Sequence, residues 1–324
     1  MQGIPRYGQP VAFGEYVHPP ATRLILKHLT AVRYNPLGVV DVIHFGVQRV
    51  LFRKEHPVTR SNYVYSGVRL KITPTSLKPG VVLELAPLSV LTIQTSAQWM
   101  QYFHTFNSFQ SFASAKDDYA DKTLSERADE ERSYATSGLS ADVSPILQFR
   151  VPIGKKNNQG SPRFFIAIRN QLCMAYHRMN TKDASFQNGR KDPVWYSNEL
   201  DTLASTNGWT LQNRLDVILM TRIRLNVGVH YEAVRPIYRN TDFRTAKEAD
   251  SYRNENSHHR LGPLIAYRFF DRAYTRFNRP TLIFSAHWYL SHRWRHGAEI
   301  PTALPYMLLA FSFQSDFLHG PQKN

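Results

Sequence analysis

Strict alternation of apolar and polar residues is the dominant signal along the chain. Val68, Leu70 and Ile72 fall on one face of an extended segment, and Arg69 and Lys71 on the other. The same period of two returns in Leu147 to Val151, Ile166 to Arg169 and Leu215 to Leu219. From Ile223 to Glu232 it is clearest: Ile223, Leu225, Val227, Val229 and Tyr231 alternate with Arg224, Asn226, Gly228, His230 and Glu232. Leu282, Phe284, Ala286, Trp288 and Leu290 form another such face. Helical spacing is confined to the charged stretch Lys116 to Tyr134, read as a solvated segment with a helical turn or two.

Turn signals at Asn35 to Gly38, Lys78 to Gly80, Gly154 to Gly160 and Asn278 to Pro280 divide the alternating stretches. Strands are predicted at 8–17, 23–34, 39–52, 62–76, 80–103, 143–154, 162–176, 210–220, 222–236, 259–270, 280–292 and 303–317. That is about twelve strands in a single domain, 1–324. The long connections 104–142, 177–209 and 237–258 are separated by pairs of strands joined through short links. In an antiparallel meander they therefore leave at one rim, expected to be the extracellular one, while the short turns lie at the other.

Gly67 to Pro74, the Pro79 and Gly80 turn into a long strand, Pro145 to Gly154, and the end from Phe277 to Phe313 resemble bacterial outer-membrane β-barrel proteins in their mature form. The resemblance is one of pattern over the whole chain, without a catalytic signature. It implies an all-β, up-and-down antiparallel transmembrane barrel, located in the bacterial outer membrane, with membrane lipid and lipopolysaccharide around it. Members commonly close on an aromatic residue, whereas this chain continues for seven residues beyond Phe317. Met1 to Gly14 has no basic region followed by an apolar core, so a signal peptide is expected to have been removed already.

Composition narrows the alternatives. With 42% hydrophobic and 13% aromatic residues the chain has enough apolar surface to exclude disorder. The strongest apolar run, Pro305 to Phe313, is far shorter than a membrane helix needs. One cysteine, Cys173, rules out an intrachain disulfide and a cysteine-based zinc site. The 40 Lys and Arg against 25 Asp and Glu suggest an anionic partner, yet they are scattered without a basic arm, which argues against nucleic acid.

If the apolar faces meet lipid, the opposite faces line the lumen. The candidates are Arg69, Lys71, Arg150, Arg169, Arg214, Asp216, Arg224, His230, Glu232, Arg268 and His287. Their Arg-rich charge points to a passive pore for small anionic solutes, the alternative being a structural barrel filled by its own side chains. Trp99, Trp209, Tyr231, Trp288, Tyr289, Trp294 and Tyr306 lie near strand ends and are candidates for an aromatic girdle at the headgroup level. An outer-membrane hydrolase is the rival enzyme reading. Its support is thin, because Ser291 with His292 and Ser257 with His258 are strand neighbours that point apart, and no Gly-x-Ser-x-Gly elbow occurs. No cofactor or metal is expected. A soluble, capsid-like shell holding nucleic acid is the second rival. Alternation alone does not separate it from a barrel in lipid; only the side on which the apolar face lies does.

Overall fold

The computed structural model describes residues 16–52, 56–154, 162–186, 189–272 and 274–318. In chain order its strands are β1 (Thr22–Tyr34), β2 (Gly38–Arg49), β3 (Tyr63–Thr73), β4 (Ser76–Leu88), β5 (Leu91–Tyr102), β6 (Ser111–Phe112), β7 (Thr136–Ile153) and β8 (Phe164–Met179). They continue with β9 (Val194–Ser197), β10 (Thr202–Ser205), β11 (Asn207–Thr221), β12 (Leu225–Ile237), β13 (His258–Arg268), β14 (Asn278–Ser291) and β15 (Tyr306–Asp316). Two short helices, α1 (Asp121–Asp129) and α2 (Ala246–Tyr252), lie in long connections.

Twelve of these strands close into one antiparallel barrel, and β6, β9 and β10 form a separate small sheet. The seam is a continuous ladder between β1 and β15, from Ile25 opposite Asp316 to Tyr34 opposite Met307. A closed ladder leaves no strand edge with unpaired N–H and C=O groups, which a hydrocarbon environment requires.

The order of polarity settles the rival architectures. Val68, Val81, Leu83, Ile93, Leu147, Phe149, Val217, Val229, Ile265, Phe284 and Leu309 are exposed, whereas Arg23, Lys78, Glu84, Glu232, Arg260 and Asp316 are buried. Apolar side chains point out of the cylinder and charged ones into it, the reverse of a soluble sandwich or shell. Closed hydrogen bonding with an apolar exterior makes this a transmembrane β-barrel of the outer-membrane type. A polar exception on the outer face is self-contained: Thr30 donates to Asp41 at 2.6 Å and His28 Nε2 lies 2.8 Å from the same carboxylate oxygen.

Several strand boundaries differ from those predicted. Most of the 8–17 segment lies outside the described residues, and Tyr16 and Val17 are not in a strand. The 80–103 segment is two strands, the end of β4 and all of β5, which turn between Leu88 and Leu91. Lys78, Pro79 and Gly80 are not a turn but run inside β4. Pro79 removes one ladder donor, yet the β4–β5 register is the same on both sides of it, from Leu77 opposite Gln101 to Gly80 opposite Gln98. Gly80 is needed there because a Cβ would stand 2.4 Å from the Ala97 carbonyl oxygen. The total of twelve is thus reached by a different partition of the chain.

Connections 103–135, 180–206, 238–257 and 292–305 all leave at one rim, because the meander returns there after every second strand. They are not merely solvated. They fold back over the mouth of the barrel as a plug, in which β9 pairs with both β10 and β6. Phe112, Tyr119, Val194, Tyr196, Leu203, Tyr238 and Phe243 form the core of the plug. A second cluster, Phe109, Tyr134 and Trp195 against Met100, Tyr102 and Met179 of the wall, joins plug to barrel. Stacking of Phe109 on Trp195, with ring centroids 5.6 Å apart, is part of that joint.

Candidate functional site

The inward phase of the strands carries the charge. Arg69 donates to Ser96 at 3.2 Å and lies 3.9 Å from Asp142. Arg169 reaches Gln171 at 2.8 Å and Asp216 at 3.7 Å, and the other oxygen of Asp216 meets His230 Nδ1 at 2.6 Å. Glu232, almost fully buried, holds Arg260 at 2.6 Å. His287 stacks on His230 with centroids 4.6 Å apart and on Tyr306 at 5.7 Å. Toward the short-turn rim Arg268 pairs with Asp271 at 2.9 Å, and Arg150 lies over the Phe165 ring at 5.0 Å.

Arg224 is a correction. It sits in the turn between β11 and β12 with φ 65°, and its guanidinium donates to the Phe269 carbonyl at 2.7 Å. The alternation from Ile223 onward runs through two turn residues before β12 begins, so its phase there marks no wall. Three girdle candidates are also corrected. Tyr289 and Tyr306 are on the inward phase and buried, the latter under Arg260 with 3.8 Å to its ring centroid. Trp294 belongs to the 292–305 connection and packs edge-on to Tyr119 at 6.1 Å. Trp99, Trp209 and Trp288 do face outward, 40–47% exposed, as does Tyr231, whose hydroxyl meets His259 at 2.7 Å.

The feature that organises the lumen is the tip of the β9–β10 hairpin, residues 198–201. On one side, Asn198 accepts from Arg33 of β1, its backbone oxygen at 2.5 Å. Glu199 takes Lys71 of β3 at 2.5 Å and Lys78 of β4 through its other oxygen. On the other side, Asp201 accepts from the Tyr289 hydroxyl of β14 at 2.9 Å, from Tyr196 at 2.7 Å and from Arg295. Because β14 and β4 are separated by β15, β1, β2 and β3 around the wall, the tip is a strap across the bore. Burial by itself would raise both carboxyl groups. Lys71 and Lys78 beside Glu199, and His292 and Arg295 beside Asp201, instead hold each well below the usual carboxylate range.

Beneath and beside the strap is a cavity of about 830 Å³. It opens at the loop rim between the β1–β2 and β3–β4 turns and α1, and reaches Gln212 and Arg214 on the far wall. Arg33, Lys71, Glu199 and Tyr306 line it. Arg214 makes no ion pair or hydrogen bond through its guanidinium among the described residues, unlike most inward cations. Two loop carboxylates are paired within the plug: Asp117 takes Arg244 at 2.6 and 2.9 Å, and Asp121 takes Arg295 at 2.8 and 3.0 Å. His292 Nδ1 accepts backbone N–H groups at 3.0 Å and its Nε2 faces the Asp201 carbonyl at 2.9 Å, so it is not aimed at a serine.

Alternation could have found Arg23, Lys27, Arg33 and Glu84, which share the inward phase of segments already recognised as strands. Lys78 was masked by the turn-like proline and glycine after it, and Asp142 by its assignment to a loop. Nothing local marks Glu199 or Asp201.

No family model matches the chain, and no curated relative does. Among solved structures it is similar to the KdgM porin at 7% identity, covering 91% of this chain and 99% of that one with a TM-score of 0.33. The outer membrane protein OprD from Pseudomonas aeruginosa matches at 9% identity over 99% of both chains, TM-score 0.29. The translocator domain of the autotransporter NalP from Neisseria meningitidis matches at 7% identity over 92% of this chain and 89% of that one, TM-score 0.39. Likenesses this distant add nothing to what the strand pairing establishes.

Proposed function

We propose that the protein is a passive outer-membrane pore for small anionic solutes, with the strapped rim facing the exterior and lipopolysaccharide around the outward tryptophans. The observation that carries the reading is the cavity that runs from the loop rim to an unpaired Arg214. A guanidinium whose donors bind no other side chain attracts anions and repels cations in a narrow water-filled space, and Asp216 and Glu232 beside Arg214 temper that field. Inward acids offset much of the remaining charge, so the preference is expected to be moderate and to rest on few residues.

In planar bilayers the barrel should show small, anion-selective conductance, and Arg214→Gln should shift the reversal potential toward zero. Raising the salt should weaken the selectivity, since the Debye length falls from roughly 10 Å at 0.1 M to about 3 Å at 1 M. Cation selectivity would refute the proposal. A barrel silent in every variant would favour the second reading, a structural barrel, which the packing of Phe109 and Trp195 against Met100 and Met179 supports.

Orientation has its own test. Within the plug, Arg190 and Lys191 are exposed just before the buried strand β9. Trypsin added to intact cells should cut after one of them and spare the buried β6, β9 and β10. Cutting only after the outer membrane is permeabilised would place this rim inside.

A further inference from the structure

Lys71 and Lys78 stand directly opposite each other in the β3–β4 ladder, both on the inward face. Like charges at opposed positions repel, so this pairing is unfavourable unless an anion is shared between them. The Lys78 side chain is only 3% exposed, and an ammonium that deeply buried needs a charged partner. The partner is Glu199, one carboxylate oxygen to each lysine. Lys78 also donates to the Tyr102 hydroxyl at 2.9 Å, which orients the ammonium from behind.

The arrangement differs from an ordinary structural ion pair in where the anion comes from. Both lysines are on the rigid wall, while the carboxylate is delivered by the hairpin tip. Glu199 keeps 36% of its side chain exposed, and Arg33, Lys71, Tyr102 and Glu199 together line the 830 Å³ cavity. A solute inside that cavity therefore reaches Lys71 directly, and reaches Lys78, which lies behind Glu199, only as Glu199 leaves it. A second acidic group on it would meet Arg214, which lines the same space and whose guanidinium makes no hydrogen bond or ion pair among the described residues.

We infer, resting on the pore reading above, that Lys71 and Lys78 are a carboxylate-binding site for the permeating solute, and that Glu199 is the internal carboxylate it displaces. The exchange forms and breaks no covalent bond and conserves charge: one carboxylate leaves the two ammoniums as another arrives. A dicarboxylate is the preferred ligand class, with one group on the lysines and the other toward Arg214.

The test is titration of the purified, detergent-solubilised barrel by calorimetry with succinate, its neutral analogue succinamide, and inorganic phosphate. Heat-modifiable gel migration verifies each variant's fold. Wild type should bind succinate weakly. Glu199→Gln should tighten binding by at least about tenfold, because a tethered competitor acts at an effective concentration in the millimolar range or above. Adding Lys71→Gln to that variant should abolish the gain, and succinamide should not bind. Unchanged succinate affinity in Glu199→Gln, equal binding of succinamide, or phosphate binding as tightly as succinate would each overturn the assignment. Calorimetry does not depend on conduction. A barrel that binds as expected but carries no current refutes only the pore reading, and a conducting barrel without the Glu199→Gln effect refutes only this one.

Discussion

Replacing Asp201 by alanine is expected to release the strap from the β14 side of the barrel, at a cost of about 3–5 kcal/mol to docking of the plug. The carboxylate is buried and accepts from two tyrosine hydroxyls and Arg295. Removal leaves those donors without their shared acceptor in a site too enclosed for easy hydration. Arg295 retains Asp121 and Asn35, which places the expected cost at the lower end of that range. Conductance should rise and new tryptic sites should open in 180–206, while heat-modifiable migration of the barrel stays unchanged. Unaltered conductance and proteolysis would mean that the strap is held without Asp201, by its apolar packing and by the Arg33, Lys71 and Lys78 anchors on its other side.

The same carboxylate fixes a pH dependence. Its folded-state pKa is lowered, so its stabilisation is fully present above the ordinary Asp value of about 3.9 and is lost only as pH falls through the lower folded value. Between neutral pH and about 4 the strap should stay docked. Opening near pH 6 in single-channel records would show that a different group controls it.

Val229→Arg is expected to destabilise the barrel by about 2–4 kcal/mol, measured by denaturant unfolding from lipid vesicles, because Val229 faces outward near the middle of β12. Leu225→Arg, on the same face but beside the turn that starts β12, should cost only about 0–1 kcal/mol near the interface. Asn226→Arg, on the inward phase, should also be mild. Equal penalties at Val229 and Asn226 would mean that the outer face of β12 does not contact hydrocarbon.

The lumen was partly legible from the alternation. Arg69, Lys71, Arg150, Arg169, Arg214, Asp216, His230, Glu232, Arg268 and His287 all sit on the inward phase of their strands. Phase also misled where a strand had not yet begun, at Arg224, and proximity to a strand end misled for Tyr289 and Tyr306. A position near an end says how deep a ring lies in the membrane, whereas parity says on which side of the wall it lies. Both tyrosines have inward parity.

Period-two patterning determined by itself that the chain is built of about twelve strands, each with one apolar and one polar face, whereas closure of the barrel and the outward position of the apolar face were decided by the tertiary structure. It also determined that the face opposite the apolar one is charged. Only the tertiary structure decided how that charge is compensated. Glu199 is 128 and 121 residues along the chain from Lys71 and Lys78, and Asp201 is 88 and 94 from Tyr289 and Arg295. These contacts depend on a loop folding back into the bore, driven by burial of Phe109, Tyr196 and Trp195, residues whose local sequence has no strand-like period to announce it. Direction of a side chain is a local property of the backbone, and partnership across a lumen is not.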